Sequence, residues 1–239
     1  MIRKLWPTTP RKKLIWTVIP VCAFMTLLTK EVLADYDTEL SLIFIFGNTL
    51  VFLLLFIAVT RKWPVSNSID TAFFILALIY FSAAFSLLLA VDPSPWYAYK
   101  QFGIMPYRMP ISRAINLIPF GTIIGHFHDY GTPLYAVKEI IGNIIVLSPL
   151  CFFLLYFKQM TIKKAFYVIF CCSLSVELLQ LLSDLLLFQE RAADIDDVIL
   201  NTSGTVLGIA SYQLYRWLAS QLKRFIQKGS HEKMNDMHL

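Results

Sequence analysis

The chain is a succession of long apolar blocks separated by shorter polar stretches. Six blocks stand out: Leu14 to Leu33, Leu40 to Val59, Ile69 to Ala90, Ile140 to Phe157, Ala165 to Leu187, and Val198 to Leu218. Each approaches the roughly 20 residues that cross the hydrocarbon core of a bilayer. In lipid the backbone polar groups must pair within a segment or around a closed barrel, and long blocks without alternation fit helices rather than barrel strands. The expected fold is therefore all-α, a polytopic transmembrane helical bundle of about six spans.

The first block has an uninterrupted apolar run of only 15 residues, Leu14 to Leu28, and Val32-Leu33-Ala34 behind a basic stretch offers a signal-peptidase site as an alternative. Snorkelling of Lys30 lets the helix continue through Leu33, so an uncleaved anchor is expected. Three regions follow: residues 1–39 as a basic tail and first anchor, 40–218 as the main transmembrane domain, and 219–239 as a basic tail.

Composition agrees with this class. Apolar residues make up 57% and charged residues 15% of the chain, against about a quarter charged in soluble domains. The 19 Phe, 11 Tyr and 5 Trp exclude disorder. The formal charge of +5 suggests nucleic acid only until it is divided between the two sides of six spans. One side then holds 15 basic and 3 acidic residues, the other 6 basic and 13 acidic. Such an asymmetry records orientation, with both termini cytoplasmic, and contact with anionic inner-leaflet lipid. The expected location is the cell membrane, with the lipid bilayer as partner and no nucleic acid. Cys22, Cys151, Cys171 and Cys172 lie in or beside apolar blocks without metal-site spacing, and read as small buried hydrophobes. No cofactor or metal is expected, and the oligomeric state is left open.

The one long connection, residues 91–139, is rich in proline and aromatics, with Lys100, Arg108 and Arg113 among them. Its stretch Ile115 to Phe127 is too short to span and is interrupted by Pro119 and Gly121, as in an interfacial or re-entrant segment.

Ionisable groups within a bilayer are costly and need a reason. In the fifth block Ser173, Glu177, Gln180 and Asp184 share one helical stripe, which must face protein or water. The sixth opens Arg191-Ala192-Ala193-Asp194-Ile195-Asp196-Asp197. With a helix starting near Asp194, one broad face carries Asp194, Asp197, Asn201, Gly204, Thr205 and Gly208, and Asp196 points away. Gly204 and Gly208 are spaced for close helix approach. Glu139 and Asn143 form an i, i+4 pair, while Asn48, Ser82 and Ser86 read as packing contacts. The strong polar features gather in the outer half, as one polar site opening outward.

Four motifs in order resemble the VanZ-like family: Asn116-Leu117-Ile118-Pro119-Phe120, Gly142-Asn143 with Pro149, Ser173 with Glu177 and Gln180, and Arg191-x2-Asp194-x-Asp196-Asp197-x3-Asn201-Thr202-x-Gly204-x3-Gly208. The resemblance covers about residues 70–215 and implies a bacterial multi-pass membrane protein of the family whose founding member confers low-level teicoplanin resistance. Within these motifs and the outward polar site, Asn116, Pro119, Asn143, Glu177, Gln180, Arg191, Asp194, Asp197 and Asn201 are the candidate ligand-binding residues.

Three functions compete. The first is recognition of a cell-wall precursor or lipoglycopeptide at the outward polar site, with Lys100, Arg108, Arg113 and Arg191 available for phosphate or carboxylate. The second is a membrane-embedded enzyme acting on an anionic lipid head group, with Glu177, Asp194 and Asp197 as candidate catalytic groups and His126 or His128 beside them. The third is a proton-coupled transporter built around Glu177. Against all three stands a scaffolding role, in which Arg191 pairs with Asp194 or Asp184 to hold the last two spans together.

Overall fold

Apolar runs of this length fold as helices because lipid offers no partner for an open backbone. The computed structural model describes residues 38–129 and 133–236. The first block, Cys22 and the N-terminal basic cluster lie outside them. The first two helices, α1 (Thr38–Thr60) and α2 (Ser68–Leu88), are followed by two short helices, α3 (Ser94–Phe102) and α4 (Ile111–Ala114). A two-residue strand β1 (Ile115–Asn116) leads to α5 (Gly121–Asp129), α6 (Pro133–Val146), α7 (Ser148–Lys158) and the long α8 (Ile162–Leu187). The chain closes with β2 (Ala193–Asp194), α9 (Ile195–Ser203) and α10 (Thr205–Asp236).

Four described stretches are long and apolar enough to cross a membrane: Ile43–Thr60, Ser68–Leu88, Ala136–Lys158 and Ile162–Leu187. They correspond to the second to fifth blocks. Side chains such as Phe46, Leu54, Leu178 and Leu186 are exposed along them, the arrangement of helices whose outer solvent is lipid. The sixth block differs from its expected form. It is divided at Gly204 into the short α9 and the longer α10 and does not number among the four.

Local chemistry sets the helix ends. Asn67 and Asp70 form a reciprocal capping box at the start of α2. The Asp70 carboxylate also accepts from the Ser66 backbone at 2.9 Å and the Tyr156 hydroxyl at 2.7 Å, tying α2 to α7. Pro149, in the first turn of α7, marks the break from α6.

Two apolar clusters fill the interior. Phe52, Phe56, Trp63, Phe74 and Phe85 from the first two helices and the loop joining them meet Phe153 and Phe157 of α7, with Trp63 stacked on Phe157 at 4.4 Å. Leu150, Cys151, Leu154 and Leu155 of α7 meet Ala165 and Ile169 of α8, with Ile209 and Tyr212 of α10 against them.

The two spaced glycines explain how α10 comes so near. A Cβ on Gly204 would lie 2.0 Å from the Ile144 carbonyl oxygen, and one on Gly208 would lie 2.5 Å from the Ser148 carbonyl oxygen and 2.6 Å from the Cys151 Cβ. Backbone cannot move aside as a side chain can. Gly204→Ala is therefore expected to destabilise the purified protein by about 1–3 kcal/mol or more, read as a lower thermal midpoint in detergent. Gly142→Ala, with nothing within 4 Å of the added carbon, should be neutral in the same measurement.

Candidate functional site

The site forms where two segments dip beside the middle of α8. Glu177 lies about 15 Å short of the α8 C-terminus. Its Oε2 accepts the Asp194 backbone N–H at 3.0 Å, so α9 starts beside mid-α8 and not beside its C-terminal end. The chain turns back through left-handed conformations at Phe188 (φ 56°) and Glu190 (φ 51°), then runs down extended from Arg191. Left-handed Phe is strained. The Phe188 ring is held edge-on to Trp96 at 5.5 Å and beneath the Arg108 guanidinium at 5.1 Å.

The second segment enters from the long connection. There β1 pairs in parallel with β2, Ile115 opposite Ala193 and Asn116 opposite Asp194. A turn with left-handed Phe120 (φ 65°) then starts α5. The N-termini of α5 and α9 thus meet at the same place.

Two aspartates close both ends. Asp194 caps α9, its Oδ1 accepting the Asp196 N–H at 2.8 Å and the Asn116 amide at 3.0 Å, while its Oδ2 accepts the Thr122 hydroxyl. Asp196 caps α5 across the interface. It accepts the Phe120 N–H, together with those of Thr122 at 3.0 Å and Ile123 at 3.1 Å. The expectation that Asp196 points away is thereby corrected: it is 1% exposed and faces the site. With Asp194 as a non-helical N-cap, the first helical turn carries Asp196 toward α5. Thr122, which the sequence reading missed, bonds both aspartates and also accepts from the Asn116 amide at 2.8 Å. Its position behind Pro119-Phe120-Gly121 at a helix start was the available signal.

The other candidates divide. Asp197 accepts the Asn143 amide, and both line a cavity of about 20 Å³ with Glu139, Thr122 and Asp196. That is room for one water and no organic ligand. Pro119 is exposed in the turn before α5, and Asn201 is buried with its Oδ1 unpartnered among the described residues. The predicted stripe faces protein: Ser173, Glu177 and Asp184 are buried. Asp184 has no hydrogen-bond partner for either carboxylate oxygen among the described residues. The side chains of His126 and His128 lie outside those described.

Arg191 and Gln180 serve a neighbouring structure. Helix C-termini leave carbonyls unpaired and carry partial negative charge. At the end of α2, the Leu88 carbonyl accepts from both Arg191 and Gln180, and the Ala90 carbonyl accepts from Arg191 at 3.3 Å. The Asn48 amide bridges the backbone N–H and carbonyl of Val91 at 2.9 Å each, and Gln189 does the same for Asp92 at 2.7 and 3.0 Å. The scaffolding pair of Arg191 with Asp194 or Asp184 is replaced by these carbonyl contacts. Burial lowers the Arg191 pKa from the ordinary arginine value, and the Asp92 carboxylate opposes that shift.

A family model described as VanZ/LLP1 matches residues 77–216, more than half the chain and all nine candidate residues. The chain belongs to the VanZ/LLP1 family. It is also similar to Protein VanZ of Enterococcus faecium, 32% identical over 115 residues. That alignment covers 48% of this chain and 62% of the relative, so the chain spans less than two thirds of the length of the curated protein it matches. No solved structure matches. The VanZ/LLP1 region contains both dipping segments and the helices that enclose them.

Asp196→Ala leaves three backbone donors of α5 without their acceptor. The expected cost is about 2 kcal/mol, at the upper end of single-cap losses, seen as a lower thermal midpoint in detergent. Asp197→Asn, which changes one contact with Asn143, should shift the midpoint far less; equal shifts would contradict the capping role.

Proposed function

We propose that this protein contributes to tolerance of teicoplanin-type lipoglycopeptides by recognising a lipid-linked or other envelope ligand on its outward side. The division into residues 1–39, 40–218 and 219–239, with both termini cytoplasmic, belongs to the same reading. The observation that carries it is what the paired aspartates support. By fixing β1 and the turn before α5, they hold an exposed edge on which Met105, Ile111, Leu117 and Ile118 lie near Arg108 and Arg113 along the chain. Apolar side chains interspersed with guanidinium groups suit an amphiphile bearing phosphate or carboxylate, which arginine binds through paired hydrogen bonds.

Binding is favoured over turnover because Asp194 and Asp196 are engaged by backbone, hydroxyl and amide donors, and Glu177 is committed to the Asp194 backbone. The enzyme reading retains one supporting observation. Asp197 and Glu139 face the same one-water cavity, as an acid/base pair acting through water would require.

Expression in a susceptible bacterium should raise teicoplanin tolerance and leave vancomycin tolerance unchanged. Arg108→Gln with Arg113→Gln should remove the gain at an unchanged membrane protein level. Asp197→Asn should retain it under the binding reading and abolish it under the enzyme reading. No change in tolerance to either drug on expression would count against the proposal.

A further inference from the structure

Hydrogen bonds fix the height of the long connection against α8. The Arg108 guanidinium donates to the Leu185 carbonyl at 2.8 Å, close to the C-terminal end of that helix. Further along, the Asn116 amide donates to Asp194 at 3.0 Å, and the Asp194 N–H is in turn held by Glu177 at 3.0 Å. Leu185 and Glu177 lie about 12 Å apart along the helix axis. The connection therefore descends beside α8 from Arg108 to Asn116, and Leu117 and Ile118 follow at the lower level.

The medium at that level is set by α8 itself. It is one of the stretches long and apolar enough to cross a membrane, and its Leu178 and Leu182 are exposed near the height of Glu177. Such a surface is suited to acyl chains. Leu117 and Ile118 are 73% and 71% exposed at this height, and Ile111, between them and Arg108 along the chain, is 67% exposed. Side chains of this kind gain by leaving water. The sequence has no carboxylate between Asp92 and Asp129, whereas Lys100, Arg108 and Arg113 all fall there. A basic and apolar connection complements the anionic head groups and acyl chains of a leaflet. A second copy seated on it would instead bring like charges together.

We infer that residues 104–124 are seated in the leaflet at the C-terminal end of α8, with Leu117 and Ile118 among the acyl chains and Arg108 at head-group level. The consequence for the ligand rests on the recognition role proposed above and names its class. It is a membrane-resident amphiphile, a long apolar chain carrying phosphate or carboxylate. It reaches Arg108 and Arg113 laterally from the leaflet and not from the water.

The test uses the full chain in phosphatidylglycerol vesicles, with its native cysteines replaced by alanine and one nitroxide label at a time on Ile118→Cys, Ile111→Cys, Leu182→Cys or Lys62→Cys. The label at 118 should behave as that at 182, relaxed more by oxygen than by a water-soluble nickel chelate, and the label at 62 should show the reverse. The unmodified chain gives a second reading: phosphatidylglycerol with a diazirine in its acyl chain should cross-link within residues 104–124. Hexadecyl phosphate in the vesicles should restrict the label at 111, butyl phosphate in the water should not, and Arg108→Gln with Arg113→Gln should abolish the response. Stronger relaxation by nickel at 118 overturns the seat and the lateral route, while leaving the recognition role to a soluble ligand. A label at 118 shielded from both reagents also overturns it, as expected of a face buried against a second copy. An equal response to butyl phosphate overturns the lateral route. A lipid-facing label at 118 without an arginine-dependent response supports the seat and counts against the recognition role itself.

Discussion

The exchange of caps between Asp194 and Asp196 is the contact on which the structure around mid-α8 depends. Two short helices begin side by side beside α8, and their first N–H groups need acceptors there. A single residue cannot close both. Asp194 closes its own helix, and Asp196, two residues later, reaches across to close α5. Neighbouring buried carboxylates repel, so the arrangement stands only because donors converge on them from backbone, hydroxyl and amide groups. Thr122 and Asn116 supply the side-chain share of those donors. The parallel pairing of Asn116 with Asp194 keeps the two segments in register.

That exchange reassigns the acidic cluster. A row of carboxylates in a membrane domain invites a catalytic or ion-conducting reading. Here Asp194 and Asp196 act as backbone acceptors, and Glu177 fixes the height at which α9 begins. The same economy governs the cation. Arg191 sits between two dipping elements and an exposed helix end, and it binds the carbonyls at the end of α2 with help from Gln180. Asp194, Asp196, Glu177, Arg191 and Gln180 thus serve first to satisfy irregular backbone.

Much of this was legible in the sequence because periodicity within one helix is local. The stripe of Ser173, Glu177 and Asp184 is buried, and the glycines at 204 and 208 make the close approach. The orientation of Asp196 was not legible. It depends on Asp194 being a non-helical cap and on backbone donors more than 70 residues away, neither of which a helical wheel encodes. The role of Arg191 was hidden for the same reason, since its carbonyl partners lie 101 and 103 residues distant. The depth of α9 was hidden as well. Val198 to Leu218 reads as a span by length, but the polar residues before it belong beside Glu177, which draws its start inward.

The demands meet at Gly204. Its backbone stays helical (φ −56°, ψ −17°), its N–H donates to the Leu200 carbonyl and its own carbonyl accepts the Gly208 N–H, so the chain passes from α9 into α10 with little interruption. Asp194 is bonded to Glu177 at one end of this stretch, while Gly204 and Gly208 let the Ile144 and Ser148 carbonyls approach at the other. A side chain at position 204 would press on the Ile144 carbonyl, and because the helical backbone carries that push toward its N-terminus, it would act on the aspartate caps as well as on the contact with α6 and α7.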